Sequence, residues 1–539
     1  MKAGELFKRG SAEEIWSYYC GWLDLSISEF MKIEERLLME QIDLLSKCEL
    51  GRILMRGHVP SSVEEFRTVI PLTTYRDYIP FLPDKREDML PVKPSCWVRT
   101  SGNSRQYGCD FKWVPNSEAH LATSITTGFG AFIFASCAHK GDFAFRPGDR
   151  FLYCAASRPY ASGRSLYNLS KEFPFRFLPS VEDAEEMTFQ ERLQEGFRLA
   201  LSDGIDLFAG LSSVLVAVGE RFSQLSPKKG ESHGSLNLSS LLRLTRAYVR
   251  SRLAKRPMLP KDIWSVKAIV TSGSDTEIYK ERIKELWGRY PLNLYSSTEG
   301  GVVAMQLWNY KGMSFVPGIN FLEFIPEDEH WRSRADPAYE PRTLRLDEVE
   351  AGQRYEIVFT SLRGASFVRY RIGDMIKIVA LRDEELGVDI PQMEFVSRCD
   401  SIVDLAGFVR LTEPIVWQAI EDTDIPYTEW TAHKEADEAG PILHVYLESA
   451  GHEHPDVTEA AAALHQALID NNEEFRDLDS MLGLKPIRVT WLAPGTFRQY
   501  REEKQAAGAD LGQLKPDHMQ PSSTAIAMLT RIHHARSGT

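Results

Sequence analysis

The chain reads as an α/β protein, with a large N-terminal αβ body followed by a smaller C-terminal α+β module. Three observations predict this. Its 539 residues exceed what one ordinary hydrophobic core holds, so two or three domains are expected. Residues 264–295 alternate strand, helix and strand at the length of a parallel crossover. From about residue 398 the texture changes to a separate αβ pattern, which places the boundary at Arg398–Asp400 and gives domains 1–397 and 398–539.

The elements follow in order. Phe30, Ile33, Leu37, Ile42 and Leu45 recur at a helical period over residues 27–45, and Pro71–Tyr78 breaks it. Phe129–Ala138 and Leu207–Gly219 are the longest apolar stretches. Both fall short of the ~20 residues that span a bilayer, so they predict buried helices. Residues 181–225 read as helix and Ser226–Ser240 as an exposed loop. Val266–Val270 is a short apolar strand, and Thr271-Ser272-Gly273-Ser274 is a turn with Asp275 as helix N-cap. Tyr279, Ile283, Leu286 and Trp287 then repeat as a helix, and Leu292–Tyr295 returns as a strand. Tyr355–Thr360 and Phe367–Val379 read as strands joined by a turn at Arg363-Gly364, and residues 380–391 as a charged loop.

A hydrophobic content of 43% with 26% charged residues fits a soluble globular protein. The net charge of −13 argues against nucleic acid or an anionic membrane as the main partner. The first residues hold no apolar signal core. The seven cysteines contain no CxxC pair, which gives neither a zinc site nor a disulfide framework and suggests a reducing, cytoplasmic location. His452/His454 and His533/His534 read as solvated. A monomer or weak dimer is expected.

Three segments carry chemistry. Thr100-Ser101-Gly102-Asn103-Ser104, with Lys112 behind it, is a hydroxyl-rich turn near a cation. Tyr295-Ser296-Ser297-Thr298-Glu299-Gly300 is a hydroxyl-rich turn ending in a carboxylate. Arg369-Tyr370-Arg371-Ile372-Gly373-Asp374 is strand-like and ends in a carboxylate. A site for a nucleoside triphosphate needs donors for phosphate oxygens, an anion for Mg²⁺ and an acceptor for ribose hydroxyls. Each segment has a plainer reading. The first is an ordinary Ser/Asn turn, the second a helix N-cap box that Gly300-Gly301 makes a poor one, and the third a turn Asp paired with Arg369 or Arg371. Ser272-Gly273 and Ser296–Gly300 fall beyond parallel strands, where ligands of such sheets sit.

The order and spacing of the three segments resemble the adenylate-forming enzymes. Phe30-Met31-Lys32-Ile33, Leu38-Met39-Glu40-Gln41, Pro71–Tyr78, Phe321–Pro326, Gly352–Glu356, Gly495-Thr496-Phe497 and Gln513-Leu514-Lys515-Pro516 resemble, more narrowly, the Gretchen Hagen family of acyl acid–amido synthetases. The resemblance runs from about residue 27 to 520. It implies a firefly-luciferase-like fold with a mobile C-terminal domain, and an ATP- and Mg²⁺-dependent ligase that makes acyl-AMP from a carboxylic acid and passes the acyl group to an amine, an amino acid in this family. It implies further that Glu299 holds Mg²⁺, Tyr295 stacks on adenine, and Ser297 or Thr298 touches the α-phosphate. Asp374 would take the ribose hydroxyls, Arg398 the ribose or phosphate, and Lys515 would stabilise charge in adenylation. The phosphate turn departs from the family pattern: Thr100 replaces Ser, Asn103 replaces Thr, and the stretch to Lys112 is longer. Ser124, Thr126, Thr127, Phe129, Tyr160, Arg164 and Tyr167 either line an acyl pocket or belong to the core. An acyl-CoA ligase, which shares the first half-reaction, and a nucleotide- or acid-binding protein without turnover are the alternatives.

Overall fold

The computed structural model describes residues 6–7, 10–100, 112–224, 238–273, 276–336, 338–399, 402–406, 409–437, 440–451, 454–482, 484–506, 518–521 and 523–537. The chain divides into two compact units. One comprises Met1–Glu327 and Arg342–Val396, the other Asp328–Pro341 and Ser397–Thr539. The protein is therefore α/β, with a large mixed sheet in the first unit and a separate smaller C-terminal unit.

The first unit is built on strands β1 (Cys96–Arg99), β2 (Trp113–Asn116), β3 (Arg150–Tyr153), β4 (Arg176–Leu178), β5 (Leu207–Gly210), β6 (Ala268–Ser272), β7 (Leu292–Ser297), β8 (Gly301–Gln306), β9 (Met313–Phe315), β10 (Asn320–Pro326), β11 (Arg354–Ser361), β12 (Tyr370–Ala380) and β13 (Gln392–Arg398). Its main helices are α1 (Ile27–Ser46), α2 (Glu118–Ser136), α3 (Phe189–Asp203), α4 (Ser212–Gln224) and α5 (Thr276–Trp287). β1 and β2 form an antiparallel hairpin. The other strands make one sheet in the order β10-β11-β12-β13-β9-β8-β7-β6-β5-β3-β4. Pairings from β4 to β7 are parallel, and β7, β8 and β9 pair antiparallel. β6, α5 and β7 form the predicted parallel crossover.

The parallel strands are buried on both faces. Phe151, Tyr153, Leu207, Ala268 and Val270 pack into the larger core, while Leu152, Cys154, Phe208 and Ile269 pack into a second core with α3, α5 and Trp264. That double burial explains a correction. Leu207–Gly219 is not one buried helix, because Leu207–Gly210 is the strand β5 and only the rest enters α4. A strand covered on both sides has no polar alternation, so an apolar run alone does not separate it from a helix. The helix expected over 181–225 is divided accordingly. Ser240, placed in a loop from sequence, is buried in a helix over Leu238–Leu253; residues 225–237 lie outside the described residues.

The second unit contains β14 (Val403–Leu405), β15 (Val409–Leu411), β16 (Tyr427–Asp437), β17 (Gly440–Ser449) and β18 (Ile487–Leu492), with α6 (Glu413–Glu421), α7 (Val457–Asn471), α8 (Glu473–Leu482), α9 (Thr496–Ala506) and α10 (Ser523–Ser537). β16 and β17 pair antiparallel, β17 and β18 parallel. Leu443, Val445, Leu447, Val489 and Trp491 face the core shared with α6, α7 and α8. Tyr446 and Leu492 point from the opposite face into a smaller core with Phe497, Tyr500, Leu529 and Ile532. Among the described residues, no helix is long and apolar enough to cross a membrane.

Candidate functional site

β7 ends in a tight turn at Thr298–Gly300 and returns antiparallel as β8, so the segment is a hairpin and not a helix N-cap. Ser297 Oγ accepts the Gly300 N–H at 2.9 Å, which closes the turn. Asn320 Nδ2 donates to the Gly300 carbonyl at 2.7 Å, and Ser361 Oγ donates to the Glu299 carbonyl at 3.3 Å. Side chains of β7, β10 and β11 thereby hold the backbone of Glu299 and Gly300.

The Glu299 side chain is 5% exposed and faces two groups from distant parts of the chain. Lys112 Nζ lies 3.3 Å from Oε1, and the Tyr370 hydroxyl donates to the same oxygen at 3.2 Å. Lys112 Nζ also donates to the Tyr370 hydroxyl at 3.2 Å and lies 5.4 Å from the centre of the Tyr75 ring. Lys112 is thus a buried cation held at an anion, not a surface lysine. Thr100 and Lys112 close the β1–β2 hairpin. The Thr100 N–H donates to the Lys112 carbonyl at 3.1 Å, and the Lys112 N–H donates to Thr100 Oγ1 at 3.4 Å. Ser101, Gly102, Asn103 and Ser104 lie between them, outside the described residues.

A second carboxylate meets the end of β7. The Tyr295 hydroxyl donates to Asp374 Oδ2 at 2.7 Å, and the Tyr295 ring lies 6.2 Å from that of Phe395. Asp374 is buried. Its placement depends on a bulge in β12. Between the pairs Val358–Arg371 and Glu356–Met375, β11 advances two residues and β12 four. Gly373 absorbs the bulge at φ 82°, a conformation that suits glycine. The arginines suggested as partners of Asp374 are engaged elsewhere: Arg371 grips Glu356 through two bonds of 2.9 and 2.6 Å, and Arg369 grips Glu323 at 2.9 and 2.8 Å.

Ser272 and Gly273 end β6, with Ser272 in register with Leu294, one residue before Tyr295. Ser296 is exposed, and Ser297 and Thr298 are half-buried in the turn. Arg398 is the half-buried last residue of β13 and counts with the second unit. Asp400 and Lys515 lie outside the described residues.

Of the suggested acyl-pocket residues, Phe129 is core: its ring packs against Phe7, Phe145, Phe173 and Phe175. Arg99 donates to the Tyr160 hydroxyl at 2.9 Å, and Arg158 stacks 3.9 Å over Tyr167. Tyr370 was missed as a site residue from sequence, since its aromatic body reads as strand core and only the fold brings its hydroxyl to Glu299. His120 and Ser124 of α2 lie against Gly301, the first residue after the turn. Burial pushes the His120 imidazole down to about 4, so it stands neutral there. Gly301 has φ 64°, and a Cβ on it would sit 2.9 Å from Ser124 Oγ. Gly301→Ala is expected to destabilise the first unit by about 1–2 kcal/mol, from the left-handed backbone plus the clash. Urea unfolding checks this. Adding Ser124→Gly should relieve the steric share alone, and an unchanged stability in Gly301→Ala would refute the strain.

Residues 313–398 match the GH3 family central domain and residues 415–524 the GH3 family C-terminal domain. Jasmonoyl–L-amino acid synthetase GH3.5 of Oryza sativa subsp. japonica is 24% identical over 276 residues, 47% of this chain and 45% of that protein. Indole-3-acetic acid-amido synthetase GH3.8 of Oryza sativa subsp. indica is 24% identical over 216 residues, 38% of this chain and 34% of that protein. The matched segments thus span less than half the length of these curated relatives. Among solved structures, the AtGH3.15 acyl acid amido synthetase in complex with 2,4-DB covers 96% of this chain and 95% of its own, at 14% identity and a TM-score of 0.49. The family matches include the strands β10 to β13, among them β12 with Tyr370 and Asp374, and most of the second unit, so it is these two segments that are similar to the central and C-terminal domains of the GH3 family.

Proposed function

We propose that the chain is an ATP-dependent ligase of the adenylate-forming type, which activates a carboxylic acid as acyl-AMP and transfers the acyl group to the amine of an amino acid. The observation that carries this reading is the buried Lys112–Glu299–Tyr370 cluster at one end of β7, next to the Tyr295–Asp374 pair. A buried carboxylate that already holds a cation at 3.3 Å fits a divalent metal, because it is pre-set for positive charge and offers hard oxygen donors. Glu299 is the residue that would hold Mg²⁺, which supplies charge neutralisation of the phosphates when bound.

In this reading Lys112 is the cation at hand for phosphate oxygens, and the Tyr370 hydroxyl keeps Glu299 oriented once the lysine turns away. Asp374 accepts the ribose hydroxyls through charge-assisted bonds, and the Tyr295 ring offers a face to adenine. Ser272, Gly273, Ser296, Ser297 and Thr298 line the phosphate side, Arg398 serves ribose or phosphate, and residues 100–104 complete the phosphate turn. Lys515 stabilises developing charge in adenylation from a C-terminal domain, 398–539, that moves between half-reactions. The name jasmonoyl–L-amino acid synthetase carries an amino acid and the name indole-3-acetic acid-amido synthetase an amide, which favours an amine over CoA as acceptor.

The test is ATP–pyrophosphate exchange across a panel of carboxylic acids, followed by product analysis with amino acids against CoA. Acid-dependent exchange with amide product supports the reading. Thioester product would make it an acyl-CoA ligase, and nucleotide binding without exchange with any acid would make it a binding protein. Asp374→Ala is expected to raise the KM for ATP about 10- to 100-fold, since hydrogen bonds to a charged group are worth about 1.5–3 kcal/mol, with little change in the KM for the acid. Equal shifts in both constants would refute the ribose role.

A further inference from the structure

The polar face of the β16–β17–β18 sheet carries a donor set that adenylation does not use. Strand alternation puts His433, Glu435 and Asp437 of β16 on one face, and antiparallel register sets His444 of β17 directly opposite His433. His433 Nε2 lies 2.9 Å from Glu435 Oε1, and His444 Nδ1 lies 2.8 Å from the same oxygen. One ligand atom from each residue falls within 4.8 Å of the other two. The linear sequence hides this set, because hairpin register rather than spacing assembles it.

Three features distinguish it from a solvated polar patch. The first is orientation. His444 Nε2 lies 2.7 Å from Thr490 Oγ1, and its ring stacks on Tyr446 at 4.1 Å between centroids, so Nδ1 is turned toward Glu435. A metal-binding histidine is held in this way, through its other ring nitrogen. The second is the contact itself. The buried His444 Nδ1 makes no hydrogen bond, although the carboxylate oxygen is 2.8 Å away. A cation about 2.0–2.1 Å from each of these two atoms would sit off the line joining them. The third is charge balance. Arg488 holds the other Glu435 oxygen at 2.9 Å and bonds Asp437 at 3.2 Å, while Oε1 faces both histidines and accepts the Tyr446 hydroxyl at 3.3 Å.

We propose that His433, Glu435 and His444 bind one divalent transition-metal cation of the Zn²⁺ class, with a fourth position open to water. Two imidazoles with one carboxylate suit zinc and its neighbours, whereas Mg²⁺ and Ca²⁺ take oxygen donors. The metal ties β16 to β17 beside Tyr446, whose ring belongs to the core formed with Phe497 and Leu529. It therefore braces the face on which α9 and α10 pack. The site is independent of the nucleotide chemistry proposed above.

The test uses the full chain, stripped with a chelator and titrated with Co²⁺ and Zn²⁺. Expected are one equivalent bound per chain, visible cobalt bands of a four-coordinate site, and a zinc-dependent rise in Tm. His444→Ala and Glu435→Gln should each weaken binding at least tenfold, and Thr490→Val about tenfold through lost ring orientation. His454→Ala, exposed beside Trp491, should leave binding unchanged. Where a variant fails to fold, zinc protection of His433 and His444 in the wild-type chain against diethylpyrocarbonate, mapped by mass spectrometry, gives the same answer. Absence of stoichiometric binding, or equal binding by the His433→Ala/His444→Ala double variant, would overturn the proposal.

Discussion

Glu299→Gln is expected to abolish adenylation while the chain stays folded. The substitution keeps the shape of the side chain and an oxygen for Lys112 Nζ and the Tyr370 hydroxyl, but removes the one negative charge of the cluster. A divalent cation held by this carboxylate would lose the negative charge that attracts it. The expected loss is about 4 kcal/mol of transition-state stabilisation, or about 10³-fold in pyrophosphate exchange. Breaking a buried ion pair is often costly to stability, because the remaining charge is left uncompensated. In this cluster the remaining cation keeps the Tyr370 hydroxyl at 3.2 Å and aromatic faces at 5.4 and 5.9 Å, so the stability loss should be modest. Circular dichroism and melting temperature measured beside the exchange rate separate the two effects. Exchange at the wild-type rate under saturating Mg²⁺ would remove Glu299 from the metal role.

What was legible in the chain follows the physics of each element. The β6–α5–β7 crossover could be read because its helix shows a clear 3.6-residue period between two short apolar runs. The hairpin strands β11 and β12 could be read from β-rich runs around Arg363-Gly364, which the structure turns at φ 61° and 79°. β5 could not, since burial on both faces erases the alternation that marks a strand. At the candidate site, Glu299 and Asp374 stood out because carboxylates beside glycines and hydroxyls are informative in a linear string. The Lys112–Glu299 contact joins residues 187 apart, and nothing in the local sequence marks a lysine as buried. The His433–Glu435–His444 set is hidden for a related reason, because two of its members meet only through strand register.

Arg369→Met is expected to give the largest stability loss of any single change around the site, about 3–5 kcal/mol. Arg369 lies immediately before Tyr370, and its backbone adopts φ 42°, a left-handed conformation that costs free energy for a residue with a Cβ. The surroundings hold it there. Its guanidinium donates twice to Glu323, which is fully buried, and also to the Ile70 carbonyl and to Thr343 Oγ1. Its carbonyl accepts the Thr73 N–H at 2.9 Å, and the next arginine's N–H donates to the Thr73 carbonyl at 2.8 Å. Without the guanidinium, Glu323 keeps the Thr343 hydroxyl at 2.7 Å and Arg67 at 3.6 Å, which is too little to compensate a buried carboxylate. Urea unfolding should show the loss in the transition of the first unit. Arg369→Met combined with Glu323→Leu should recover part of it, because an apolar pair in a buried site avoids the stranded charge. A single variant within about 0.5 kcal/mol of wild type, the range of ordinary surface changes, would show that the pair does not hold this segment. The backbone strain and the ion pair together fix the residue that presents the Tyr370 hydroxyl to Glu299. Under conditions where Arg369→Met remains folded, its exchange activity should therefore still fall, and full activity there would separate the ion pair from the positioning of Tyr370.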